Sequence, residues 1–323
     1  MRKFISSFLI LSFCLIASNV QAQSLIPPLQ LSEGVTLKFS GYSWNLFTKE
    51  EDKPGKSTWN RMRLRMNLNT NTPFSAYAEV DIVKFLNDME QLEDSGFLRQ
   101  LYISYSLTKD WQLRAGRLFT DPSLSPGPFE QQLVRNSLAA GPFVNPPTQY
   151  ALQLRGNLGY GYSMVTSVSV DTSEAFAREP NWDKPAFSGQ LKKVFGKTGL
   201  SSAVMTQLSD EFQRYGFESK YQFNEKLNFR GGVIMASNQS DRDHLGGYLL
   251  AGYKALDWLE LHSQVDYRHL DTFGKKKEAT DTVWTNGIRV WTKKDQMAVT
   301  LDYETALDGT RDNQLLVRFQ VRF

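Results

Sequence analysis

Along much of the chain, apolar and polar residues alternate at every second position. From Gln314 to Phe323, Leu315, Val317, Phe319, Val321 and Phe323 alternate with Gln314, Arg318, Gln320 and Arg322. A β-strand turns its side chains to opposite faces with period two, so this stretch predicts one apolar and one wet face. The same pattern sets Met62, Leu64, Met66 and Leu68 against Arg61, Arg63, Arg65 and Asn67. It returns with Leu259, Leu261, Val265 and Tyr267 against Glu260, His262, Gln264, Asp266 and Arg268.

Segments of this kind, about 9 to 13 residues long and bounded by turn residues, predict sixteen strands, with fourteen and eighteen as the alternatives. The first falls at 33–46, where the apolar phase shifts near Gly41. Weak alternation marks 186–195 and 199–207, and the last strand is 313–323. Short and long connections alternate between the strands. Thr108 to Asp110, Asn224 to Glu225 and Leu256 to Asp257 are short; Thr48 to Ser57, Leu86 to Gly96, Asp121 to Thr148 and Asn238 to Leu245 are long. That rhythm, with an even strand number, predicts an all-β fold, a transmembrane antiparallel barrel of the outer-membrane kind with short periplasmic turns. Trp59, Trp111, Tyr150, Trp258, Trp284 and Trp291 fall near strand ends, as interfacial aromatic girdles do.

The beginning of the chain fits export. Met1-Arg2-Lys3, an apolar run from Phe4 to Ile16 and Val20-Gln21-Ala22 read as a signal peptide over 1–22, which leaves the barrel at 23–323. The lone cysteine, Cys14, lies in that run, so disulfides and cysteine-held metals are not expected in the mature chain. Without Arg2 and Lys3, 35 basic residues face 34 acidic ones. This balance gives no argument for a nucleic-acid partner. Mean hydropathy is −0.40, as polar loops and a polar lumen would produce in a barrel that hides its apolar half in alternation.

Parity places Arg61, Arg63, Arg65, Arg114, Arg155, Lys220, Arg230, Arg268, Arg289, Arg318 and Arg322 on the inner face, with Glu79, Asp81, Glu218, Glu260, Asp266, Asp302 and Glu304. Closing the last strand on the first brings Arg318 and Arg322 near Lys38 and the Arg61, Arg63, Arg65 row. This predicts a basic wall that attracts anions, because guanidinium stays charged and binds oxyanions in a planar fork. On this reading Arg63→Glu lowers anion preference with little change in folding. Catalysis finds little support. His262 and Ser263 are adjacent, so on a strand they point to opposite faces, and His244 and His269 are expected in or beside loops. Metal-ligand spacing and phosphate-cradling glycine loops do not appear, so no cofactor or metal is expected.

The run Trp59-Asn60-Arg61-Met62-Arg63-Leu64-Arg65-Met66 is followed by Tyr77-Ala78-Glu79-Val80-Asp81, Leu98-Arg99-Gln100-Leu101-Tyr102 and Leu113-Arg114-Ala115-Gly116-Arg117. Val134-Arg135-Asn136-Ser137 and Leu152-Gln153-Leu154-Arg155-Gly156 come next. Together they resemble the front half of porins of the phosphate-selective O and P type, over about residues 33–160. Arg117 departs from the family, which often has Gln there, and no lysine-rich lumen set is present. Phe323 matches the family's terminal phenylalanine. The resemblance implies a water-filled channel for ions and small hydrophilic or anionic solutes, embedded in outer-membrane lipid as a homotrimer. It also implies that the long third connection, 121–148, folds inward and brings Asp121, Glu130 and Arg135 to a constriction. Two other classes remain open: a non-conducting structural or adhesive barrel, and a barrel-type lipid hydrolase.

Overall fold

In the computed structural model, the residues described are 27–51, 53–82, 98–119, 148–171, 181–209, 212–238, 242–272, 279–292, 297–308 and 312–322. The expected signal peptide and the expected constriction residues Asp121, Glu130 and Arg135 lie outside them.

A short strand β1 (Leu29–Ser32) precedes sixteen long ones: β2 (Val35–Glu50), β3 (Lys56–Thr70), β4 (Phe74–Asp81), β5 (Leu98–Ser106), β6 (Trp111–Phe119), β7 (Thr148–Gly159), β8 (Tyr162–Asp171) and β9 (Asn181–Val194), then β10 (Leu200–Leu208), β11 (Phe212–Gln222), β12 (Leu227–Asn238), β13 (Arg242–Leu256), β14 (Leu259–Thr272), β15 (Ala279–Thr292), β16 (Met297–Ala306) and β17 (Gln314–Arg322). Each of the sixteen pairs antiparallel with its sequence neighbours. β17 closes on β2, from Gln314 opposite Glu50 to Arg322 opposite Tyr42. The result is a closed sixteen-stranded barrel. Closure matters because an open strand edge leaves backbone groups that lipid cannot satisfy.

Sequence reading did not anticipate β1. It folds back on the start of β2, Leu29 opposite Leu37 and Ser32 opposite Val35, through a turn at Gly34 with φ of 75°. Backbone in that left-handed region favours glycine. β1 therefore covers the part of β2 that β17 does not reach.

Burial follows the alternation. On the outer face Leu101, Ile103, Val204 and Leu249 are among the exposed apolar side chains, whereas inward-pointing Arg63, Glu79, Glu218 and Asp302 are buried. Both segments of uncertain phase resolve physically. On β2 the aromatic Tyr42 turns inward and is buried, while its neighbours of opposite parity include Gly41, Ser43 and Asn45. On β9 and β10 the inner face takes Ala186, Ala203 and Met205, while Phe187 and Val204 point out beside Gly189 and Thr206. Apolar residues thus occupy both faces there, which blurs the period. Several strands run farther than the alternation implied. β12 and β13 stay paired to Asn238 and Arg242, because polar Asp243 and His244 continue the ladder. His244 and His269 accordingly belong to β13 and β14 and not to loops.

Candidate functional site: the lumen wall

Register decides which inward charges meet. On β3 and β4, Arg63 lies opposite Asp81 and Arg65 opposite Glu79. Arg63 Nη1 donates to Glu79 Oε1 at 2.9 Å and Arg65 Nε donates to Glu79 Oε2 at 2.8 Å, with Asp81 3.8 Å from Arg63 Nε. Tyr77 Oη donates to the same Glu79 Oε2 at 3.1 Å. The Tyr42 ring lies 5.1 Å from the Arg65 guanidinium and 5.7 Å from that of Arg63. Arg63 and Glu79 are each 1% exposed. Charge that is paired and buried is poorly available to a passing ion. The expectation for Arg63→Glu therefore changes, since the new carboxylate would sit against Glu79 and Asp81.

A residue that parity misplaces joins this group. Between β4 and β5 the register steps from Glu79 opposite Gln100 to Val80 opposite Leu98, leaving Arg99 as the extra residue of a bulge. The bulge brings Arg99 within electrostatic range of Arg63, Glu79, Asp81 and Tyr42. A bulge re-aims a side chain, and no simple alternation count would locate it.

Farther along the wall the cations have different company. Tyr77 and Tyr102 stack at 5.1 Å, and the Arg114 guanidinium lies 4.9 Å over Tyr102 while its Nε donates to Gln112 Oε1 at 2.9 Å. Arg155 stands on β7 diagonally across from Arg114. Arg117 has the opposite parity to Arg114 and faces outward beside Tyr150. Lys192 on β9 was not anticipated, because weak alternation there hid its inward direction. It pairs with Ser163 and Ala203.

The wall from β11 to β17 carries most of the carboxylates. Glu218, buried, accepts from Tyr248 Oη at 2.6 Å, with Arg230 Nη2 at 3.7 Å. His262 and Asp302 hydrogen-bond at 2.6 Å across the intervening Gly287 of β15, where any Cβ would collide with both. Gln314 Nε2 donates to Glu304 Oε2 at 2.7 Å, and Arg289 Nε donates to Thr300 Oγ1 at 3.2 Å. Arg318 lies opposite Thr300, inward and buried. For Arg61 and Arg322 the backbone gives register: Arg61 opposite Trp44 and Arg322 opposite Tyr42.

Height along the strands sorts the signs. Lys38, Arg114, Arg155, Lys192, Lys220, Arg230, Lys254, Arg289 and Arg318 all stand within four residues of the short-turn end of their strands. Glu79, Asp81, Asp266, Asp302 and Glu304 stand five or more residues from it; Glu218 and Glu260 are carboxylates within the lower band. The end of the lumen next to the short turns is therefore the more basic.

This architecture has known counterparts. The fold is that of outer-membrane β-barrels. The chain is similar to the outer-membrane channel DcaP of Acinetobacter baumannii, with TM-score 0.62 and 13% identity over 92% of this chain and 100% of that one. It is similar also to OmpF of Salmonella typhi, from a complex with daunomycin, with TM-score 0.65 and 12% identity over 92% and 100%. A third is the trimer form of in-vitro folded OmpT of Vibrio cholerae, with TM-score 0.64 and 12% identity over 90% and 100%. No family model and no curated protein matches the sequence. At such identities the likeness is one of fold. Among the described residues no group of three or more His, Cys, Asp or Glu is placed to hold a metal ion.

Proposed function

We propose that the protein is an outer-membrane porin: a water-filled channel for passive diffusion of ions and small hydrophilic solutes, with mild preference for anions. The observation that carries this reading is the row of lumen-facing cations without ion partners at the short-turn end. Lys38, Arg114, Arg155, Lys192 and Lys220 form no ion pair among the described residues. Unpaired charge on an aqueous wall raises the local concentration of counter-ions. The short turns would face the periplasm, as in outer-membrane barrels generally, and the assembly would be a homotrimer.

One observation favours a closed barrel instead. Met205, Ile234 and Glu218 point inward and are at most 1% exposed. A lumen occluded throughout would predict a folded barrel that admits nothing. A hydrolase reading has less support, since His262 is turned to the lumen while Ser263 accepts from the outward Trp284 Nε1 at 2.9 Å.

Swelling of vesicles reconstituted with the protein tests the reading. Rapid swelling in small sugars and amino acids, slowing with solute size, is expected. Vesicles that hold folded barrel and do not swell would favour the closed structure.

A further inference from the structure

The outer rim at the short-turn end is not uniform around the barrel. At the other described short turns, lysine comes with a carboxylate: Asp110 follows Lys109, Glu225 precedes Lys226, and Lys254 lies 3.6 Å from Asp257. The sector over β7 to β10 differs. Residues 156–170 and 185–209 contain no aspartate or glutamate, yet they carry Lys193 and Lys197 in addition to the inward Lys192.

Lys193 is fixed in place without being neutralised. It has the outward parity of Leu191 and Phe187, both exposed. Its Nζ donates to the Tyr160 carbonyl at 2.5 Å and sits 3.7 Å from the centroid of the Tyr162 ring, opposite it on β8. A carbonyl and an aromatic face are neutral partners, so the ammonium keeps its charge and two further N–H donors. Tyr160 has φ of 49°, between the left-handed Gly159 and Gly161, and is 95% exposed. Val194 N donates to Gly161 O at 2.9 Å, which ties this turn to the end of β9. The turn that follows β9 presents Lys197, exposed, two residues beyond exposed Phe195.

The surroundings decide what kind of anion fits. Leu158, Leu191, Val194 and Phe195 set exposed apolar surface around the two ammonium groups. A free inorganic ion gains nothing from that surface, and a hydrophilic wall polymer would leave it in water. An anionic phospholipid matches both parts: its phosphate meets the ammonium groups while its acyl chains lie along the outward apolar residues of β8 and β9. Tyr160 and Tyr162 suit the same level, because amphipathic rings collect at the headgroups.

We propose that Lys193 and Lys197, with Tyr160 and Tyr162, form a docking site on the outer face of β8 and β9 for the headgroup of an anionic phospholipid in the leaflet next to the short turns. The proposal goes beyond the channel reading and shares with it only the membrane-spanning barrel.

Phosphatidylglycerol is the probe and phosphatidylethanolamine, which has the same phosphate but no net charge, is the reference. Native mass spectrometry of the protein released from detergent, with equal amounts of both lipids, is expected to show one phosphatidylglycerol retained roughly tenfold or more in preference. A lysine near an anionic headgroup contributes roughly fivefold, so K197Q, in an exposed turn, should lower the preference by about that factor and K193Q/K197Q should abolish it. K109Q, where Asp110 stands beside the lysine, should keep it. Retained heat-modifiable gel mobility verifies that each variant is folded. Equal retention of the two lipids, or an undiminished preference in K193Q/K197Q, overturns the site. Sedimentation with purified peptidoglycan that K193Q/K197Q abolishes, without any lipid preference, would assign the lysines to the wall polymer and overturn it equally. Conductance in bilayers of uncharged lipid reads the channel separately: lipid preference without conductance removes the channel and supports the site, whereas conductance without lipid preference removes the site and keeps the channel.

Discussion

Two groups of arginines share one side of this barrel, and they differ in what stands opposite them. Arg63 and Arg65 face Asp81 and Glu79 across β3 and β4, and Glu79 takes a hydrogen bond from each. Arg114 and Arg155 face Gln153 and Gln112 across β6 and β7. Both groups point into the lumen and both read as basic in sequence. The first is part of the structure's internal charge balance; the second leaves its charge available. Counting inward cations therefore overstates what a passing anion meets, and strand register supplies the correction.

Glu79→Gln should break the first group with the largest effect. It leaves two arginines beside a single remaining carboxylate, and loss of one partner from a buried ion pair costs about 3 to 5 kcal/mol. Urea unfolding of the reconstituted barrel measures this, and an unchanged midpoint would mean that Arg63 and Arg65 are not held by Glu79. Next in size is Val317→Arg, which tests the inside-outside assignment on which the comparison depends. Val317 has the parity of outward Phe319 on β17, so an arginine there should cost about 2 to 4 kcal/mol near the membrane midplane. Unimpaired folding would place that face toward water.

Arg155→Gln should do the reverse of Glu79→Gln: less than about 1 kcal/mol in stability, since no ion pair is lost, but a shift of the reversal potential away from anions. A variant that unfolds while keeping its selectivity would erase the distinction between the two groups. Tyr102→Leu is the smallest change. It removes the ring beneath Arg114, a contact worth about 0.5 to 1 kcal/mol at an exposed site, and should shift the reversal potential only slightly while the barrel stays folded.

Most of the fold was legible because lipid imposes a strict alternation, and outward residues such as Leu101, Ile103 and Val204 obey it. Legibility failed where that demand relaxes. The inward apolar pair Ala203 and Met205 blurs the period on β10 and, with it, the direction of Lys192. The bulge at Arg99 shifts parity by one residue, a feature set by pairing with β4 and not by composition. Alternation assigns a face to Arg63, Arg65, Arg114, Arg155 and Arg318. It does not assign their partners, because whether an arginine meets Glu79 or Gln112 depends on register, which alternation alone leaves undetermined over shifts of two.

The central claim is that this barrel conducts and that its unpaired cations favour anions. Single-channel recording of the protein in a planar bilayer under a potassium chloride gradient tests it most directly. Stable open steps with a reversal potential displaced toward that of chloride are expected. A folded barrel that gives no steps, or one whose reversal potential lies toward potassium, would contradict the account.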